Sequence, residues 1–439
     1  MSKFKIDRQT LDELNLLGKF RAGSVYHLFN QVRTRGGEQL LDEMFNNPLS
    51  STVLINERSE TFKCFQEHDF RFDYDVQVIS VFREYLDTKT YNHKIRVYFS
   101  LLSRSILARL TRDERYKKSI QGFQAIVQVL KKTAALIPLL SWAPEPFQSR
   151  VQEIQGLLKR PEMDQLLQMD IYSEIALGTL VFYEHLLKGK LLADMGNVLS
   201  FIYELDVYQA VGMVARAKGL RYATALEPEE NIFRCKNLRH PCIEKAIGND
   251  LLLEEDSNVL FLTGANMAGK STWMKSLGIG IYLAHMGFPV AADHFEFSLR
   301  EGLYSSINVA DNINLGYSHF YAEVVRVKQA AEAAASGARL MLMFDELFKG
   351  TNVKDAFDGT LAVTEGFAEY TNCLFVVSTH IIEVGEELRS FPNIQFRYMP
   401  TILEGGIPQY TYRLKEGITE DRQGMMIIQS EKILELLDR

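Results

Sequence analysis

Cysteine is scarce: the 439 residues hold four, Cys64, Cys235, Cys242 and Cys373, without the paired spacing that holds zinc or staples a small secreted fold. The Cys235/His240/Cys242 grouping has no second half, so reduced, packed thiols are expected. No apolar run approaches the ~18 uncharged residues of a bilayer-spanning helix, and Met1 to Asp7 lack the apolar core of a secretory leader. A cytoplasmic chain that does not cross a membrane is the expectation. Internal repeats and low-complexity tracts are also missing, which excludes solenoids and long disordered arms.

Strong charge of one sign is lacking too. The net of −7 divides unevenly: residues 1–225 carry 30 Lys and Arg against 26 Asp and Glu, and the remainder 19 against 30. Only the first part has a positive excess, densest at Arg104, Arg109, Arg112, Arg115, Lys117 and Lys118. That cluster is a candidate footprint for a polyanion such as DNA, with a solvated helix face as the alternative reading. The length calls for two or three domains.

Helical spacing dominates the first half. Leu11, Leu14, Leu16 and Leu17, then Leu28, Phe29, Val32, Leu40, Leu41, Met44 and Phe45 recur at helical intervals, with Asn47-Pro48 as a stop. Amphipathic patterns follow over 52–68, 74–87, 94–110, 118–137, 147–158 and 170–217, with breaks at Pro138, Pro144, Pro146 and Pro161. From about Gly219 short β-rich runs alternate with helices: strands at 259–263, 303–309, 340–344 and 373–378, helices at 270–286, 318–335 and 355–370, and a β-like tail. Such alternation implies a mostly parallel sheet covered on both faces. The expected fold is an all-helical domain over residues 1–222 followed by an α/β domain over 223–439.

Gly264-Ala265-Asn266-Met267-Ala268-Gly269-Lys270-Ser271 follows the apolar run Val259–Thr263 and leads through Thr272 into a helix. Glycines at both ends permit a tight path in which successive N–H groups and the helix N-terminus surround a polyphosphate. Lys270 would reach the β and γ phosphates, and Ser271 would ligate Mg²⁺. A second run, Leu340–Phe344, ends in Asp345-Glu346, placing one carboxylate to hold Mg²⁺ and the next to orient or deprotonate water. A third, Leu374–Ser378, ends in Thr379-His380, with His380 near the γ phosphate or the water, or as an ordinary residue after a capping Thr. Three strand ends converge on one sheet edge, and a nucleoside triphosphate with Mg²⁺ is the implied ligand pair.

Thr263–Thr272, Asp345–Thr351 and Ser378–His380 resemble the nucleotide-site motifs of the MutS family of DNA mismatch-repair ATPases. Arg239-His240-Pro241, Asn249-Asp250 and the segment Asn308–Phe320 also match that pattern, and Ile6–Phe65 is similar to the start of the family's helical core, or lever. The resemblance implies a P-loop ATPase of ABC type that dimerises through its ATPase domains, with Ser318 acting in trans on the partner's γ phosphate. It also implies ATP and ADP as ligands and slow hydrolysis used as a conformational switch. The chain departs from the pattern in several places. Counterparts of the mismatch-recognition, connector and clamp regions are not evident. Ala246-Ile247 stands where an aromatic commonly stacks on adenine, His319 replaces a common Thr, and Gly350–Gly359 is about three residues longer than the usual form. Coupling of hydrolysis to DNA binding, in mismatch repair or as a branched-DNA clamp near the nucleoid, is one reading. A nucleotide-gated protein-interaction module that no longer binds mismatched DNA is the other, and a small-molecule kinase is less favoured.

Overall fold

The structure, a computed structural model, describes residues 3–419 and 436, apart from 19–20, 22, 69, 89–90, 92, 112–113, 172, 308–318 and 405–406. The chain forms two compact units. One comprises Met1–Phe29, Phe45–Ser59 and Val214–Arg439, and the other Asn30–Met44 and Glu60–Met213.

The second unit is helical, with helices at Val76–Asp87, Lys94–Thr111, Arg115–Leu136, Phe147–Leu158, Pro161–Gln168 and Leu177–Leu187. Phe123, Ile126, Leu130, Ile154, Leu166, Leu180 and Leu187 form its buried interior. Helices over Arg115–Leu140 and Leu192–Lys218 are long and apolar enough to cross a bilayer, but half to two thirds of those windows is buried within the protein, as core helices are. Pro161 opens a helix where the sequence pattern placed a break: at the first helical position its missing N–H leaves no bond unmade. The single helix expected over 170–217 is two, ending at Leu187 and resuming at Leu192. Asp206, buried on the second of these, accepts from the Arg33 and Thr34 N–H groups and the Thr34 hydroxyl, and Thr34 Oγ1 accepts from the Gly37 N–H at 2.9 Å, capping the helix that starts at Arg35.

The first unit is built on a seven-stranded sheet whose strands we number in chain order: β1 Lys5–Ile6, β2 Val259–Gly264, β3 Gly302–Ser306, β4 Leu340–Asp345, β5 Leu374–Ser378, β6 Ile394–Met399 and β7 Lys415–Glu416. Their spatial order is β1-β3-β4-β5-β2-β6-β7, parallel except for β7 against β6. Every residue of β2 and β5 is buried, as the unbroken apolar runs of a sheet covered on both faces require. Helices Lys270–His285, His319–Ala335 and Val353–Ala368 supply the crossovers. Strand β1 is a departure from the all-helical expectation for the N-terminal part, since two residues carry no readable periodicity. The same unit holds a four-stranded sheet of Thr224–Leu226, His294–Ser298, Phe233–Leu238 and Asn249–Leu253 that the sequence pattern did not separate from loop.

The N-terminal segments join this unit through apolar and ionic contacts. Phe45 and Phe29 pack edge-on against Phe288 at 5.4 Å, and the Tyr282 hydroxyl donates to the Phe45 carbonyl. Asp7 pairs with Arg326, and the Glu13 carboxylate accepts from the Ser305 hydroxyl and, at 3.0 Å, from the Ile307 N–H.

Candidate functional site

Strand β2 delivers the chain into the loop 264–269 at the carboxyl edge of the sheet. The loop needs unusual backbone: Gly264 has φ +139°, Met267 +71° and Gly269 +102°. A Cβ on Gly269 would also meet the Tyr412 ring at 2.8 Å, so glycine is required twice there. The helix begins at Lys270, and its first-turn N–H groups, which have no intrahelical acceptors, border a cavity of about 800 Å³. Ala265, Asn266, Met267, Gly269, Lys270, Ser271 and Thr272 line it, whereas Ala268 is turned into the core.

Lys270 is buried, and its ammonium donates to the Gly264 and Ala265 carbonyls at 2.8 and 3.1 Å. Burial lowers its pKa, and the Asp345 and Glu346 carboxylates partly offset that. These bonds hold a cation under the loop before any anion arrives.

Asp345 ends β4 in register with Ser378 of β5, which is in turn opposite Leu262 of β2. The sheet therefore brings together groups that lie more than 70 residues apart in sequence. Burial raises the Asp345 pKa, while the Ser271 and Ser378 hydroxyls beside it act in the opposite direction. Asp345 Oδ1 is buried with no hydrogen-bond partner among the described residues, an arrangement that is costly unless something occupies it. An unfilled carboxylate oxygen beside a serine hydroxyl suits a hard divalent cation such as Mg²⁺, which takes few protein ligands and completes its shell with water and phosphate. No group of three or more His, Cys, Asp or Glu side chains among the described residues is arranged to hold a metal ion, so a cation here would complete its shell with ligands from outside the protein.

Beyond β4 the chain turns sharply, with Glu346 and Phe348 at φ +54° and +61°. The Glu346 N–H donates to the Ser378 carbonyl at 2.7 Å, which fixes the turn against β5. Its carboxylate borders the cavity, 3.8 Å from His380 Nδ1 and 4.0 Å from Lys349 Nζ. His380 holds the Glu346 carboxyl below the usual carboxylate range, and Glu346 raises the His380 pKa in return. A carboxylate so held is ionised and is placed to accept a hydrogen bond from a water in the cavity.

Lys270, Ser271, Asp345, Glu346 and His380 thus meet at one sheet edge. Ser318, expected to act in trans, lies outside the described residues. Of the basic cluster, Arg104 is half-buried and donates to Ser119 Oγ at 3.4 Å, while Arg115, Lys117 and Lys118 are exposed. Arg112 and the Arg109 side chain lie outside the described residues. His240 is pushed down to about 4 by burial, with Lys275 adding to the effect, and its Nδ1 accepts from the Cys242 N–H.

Sequence reasoning missed the far wall of the cavity, where Tyr412, Met399 and Ile243 face the phosphate loop. Tyr412 stands at φ +55°, and Asn249 grips its surroundings from both ends of one amide. The Nδ2 donates to the Tyr412 carbonyl at 3.0 Å, and Oδ1 accepts from the Leu414 N–H at 2.7 Å. The only readable signals were a Tyr-Thr-Tyr run in the tail and the Asn249-Asp250 pair.

Residues 260–435 match the model of MutS domain V. Curated relatives include three proteins named DNA mismatch repair protein MutS. The one from Streptococcus sanguinis (strain SK36) is 26% identical over 260 residues, covering 57% of this chain and 30% of that protein. The one from Streptococcus pyogenes serotype M1 is 25% identical over 287 residues, covering 64% and 32%. The one from Anaplasma phagocytophilum (strain HZ) is 29% identical over 237 residues, covering 53% and 28%. The chain thus spans about three tenths of the length of these relatives. The resemblance read from the motifs is carried by these matches, and its family-model part lies in the residues that build the site.

Proposed function

We propose that this chain, related to the MutS family through its C-terminal part, is a Mg²⁺-dependent ATPase whose nucleotide state changes its grip on DNA. The observation that carries the proposal is the cavity at the sheet edge, where a glycine-bounded loop, a buried lysine, a half-satisfied aspartate and a histidine-paired glutamate face one space. The loop amides and Lys270 bind and orient the β and γ phosphates. Ser271 and Asp345 would hold Mg²⁺, which when bound supplies positive charge to the phosphate oxygens. Glu346 orients the attacking water and takes its proton, and His380 keeps Glu346 ionised and in place. Tyr412 offers its ring to the base, in place of an aromatic at Ala246-Ile247.

By resemblance Ser318 completes the site of a second copy, so dimer closure depends on ATP, and the protein is cytoplasmic. The basic cluster from Arg104 to Lys118 is the proposed DNA contact. A second reading, a nucleotide-gated protein-interaction module, is favoured by the exposed apolar side chains on the helix that carries Arg104. The test separates binding from hydrolysis. Lys270→Ala should lose nucleotide binding, and Glu346→Gln should bind ATP yet lose turnover; full Mg²⁺-dependent phosphate release by either variant sinks the proposal. Titration with homoduplex, mismatched and branched DNA decides the ligand: no binding at low salt and no change in turnover favour the interaction module.

A further inference from the structure

We propose that the outward face of helix Lys94–Thr111 docks an acidic amphipathic helix of another protein. This rests on the helical unit alone and is independent of the nucleotide site. On its inner side the helix buries Val97 and Leu101 in the core. On the opposite side Ile95, Phe99, Ile106 and Leu110 recur at helical spacing and are 71%, 63%, 49% and 75% exposed, with Tyr98 beside them at 42%. A helix apolar on two opposite faces is ordinarily enclosed, and among the described residues only one face of this helix is. On the neighbouring helix Leu177–Leu187, Phe182 is 42% exposed and lies beneath the Lys94 ammonium, 5.0 Å from its ring centre. A stripe of exposed aromatic and aliphatic side chains along one helix face marks a contact surface.

Charge selects the occupant. The helix sequence carries Lys94 and Arg96 on either side of Ile95 and no Asp or Glu, while Arg104 is held on the inner side by Ser119. A second copy laid along it would oppose cations to cations across an apolar seam, which is unfavourable. Nucleic acid would satisfy the cations but would leave Ile95, Ile106 and Leu110 against a charged backbone. A helix with apolar residues every third or fourth position and carboxylates on its flanks satisfies both features at once, as groove-bound helices do.

The probe is a synthetic peptide of about 20 residues, long enough to form a helix on binding, with Leu at the a and d positions and Glu at the flanking ones. A companion peptide replaces every Glu with Lys. Fluorescence anisotropy with the full chain should show binding of the Glu peptide that weakens as salt screens the charges. The triple variant Ile95→Ser, Phe99→Ser, Leu110→Ser should bind it roughly tenfold more weakly or worse, a loss of ~1.4 kcal/mol or more. Because these side chains are exposed, the variant should keep the wild-type circular dichroism. A charge variant, Lys94→Glu with Arg96→Glu, should shift preference toward the Lys peptide. Equal binding of the Glu peptide to wild type and triple variant, or no binding, overturns the proposal. So does a dimer in sedimentation velocity that the triple variant abolishes, or stripe-dependent binding to phosphatidylglycerol vesicles or to single-stranded DNA.

Discussion

Replacing Tyr412 by Ala should weaken nucleotide binding while leaving the rate of bound turnover nearly unchanged. The ring faces the phosphate loop across the cavity, against Gly269, and is 44% exposed, so a stacked base would remove much of its remaining surface from water. Stacking of a base on an aromatic ring contributes about 1–3 kcal/mol by alanine substitution. The ring is already part-buried, so the lower part of that range applies, ~1–2 kcal/mol, or about a 5- to 30-fold rise in Kd for ATP. Tyr412→Phe keeps the ring and should stay within about twofold. Asn249→Ala removes both hydrogen bonds that fix the 412–414 backbone and should move Kd the same way without touching the hydrolytic groups. Calorimetric titration gives Kd directly, and single-turnover phosphate release gives the chemical step, so KM need not be interpreted. An unchanged Kd for Tyr412→Ala, or a fall in single-turnover rate as large as the loss of affinity, refutes the assignment.

Three further outcomes are expected. Glu346→Gln should slow single-turnover hydrolysis by roughly 10²- to 10⁴-fold with ATP affinity retained, read by phosphate release and titration. The His380–Glu346 pair implies a titration midpoint for His380 above its ordinary value, because the carboxylate favours the charged ring. The sign follows for both partners: the depressed Glu346 contribution is present above the ordinary carboxylate range and fades as pH falls through its folded value, and the His380 contribution is present below ~6.5 and fades as pH rises through its raised value. Imidazole NMR should show the His380 midpoint falling in Glu346→Gln; an unchanged midpoint removes the pair from the site. Asp206→Ala strips the acceptor from one buried and one part-buried N–H donor and a buried hydroxyl and should cost ~3–5 kcal/mol in urea unfolding of the helical unit, against ~1–2 for Asp206→Asn, which keeps one oxygen. A cost below about 1 kcal/mol for the alanine variant would show that water replaces the carboxylate.

Read from left to right, the chain discloses whatever chemistry is local. The loop Gly264–Ser271 is legible because a buried strand, two glycines and a lysine lie within a dozen residues, and Asp345-Glu346 because it ends an unbroken apolar run. Helical spacing likewise exposed most of the helical unit, since a 3.6-residue period needs only neighbours. Pro161 misled because proline breaks a helix interior but begins a helix equally well, and position alone distinguishes the two. Strand β1 is two residues long, and the four-stranded sheet is made of short runs broken by polar positions, so neither carries enough period to be read.

What the sequence by itself determined is the kind of chemistry: side chains that bind polyphosphate and a divalent cation, each on a recognisable strand end. Only the tertiary structure decided their company. Parallel pairing of β2, β4 and β5 sets Lys270, Asp345 and His380 on one edge, and the antiparallel return of β7 carries Tyr412 back to Gly269, 143 residues upstream along the chain. The same division holds for the helix at Lys94. Its sequence reads as one amphipathic pattern, and only packing against its neighbours shows that the core covers the side of Val97 and Leu101 and leaves Ile95, Phe99 and Leu110 exposed.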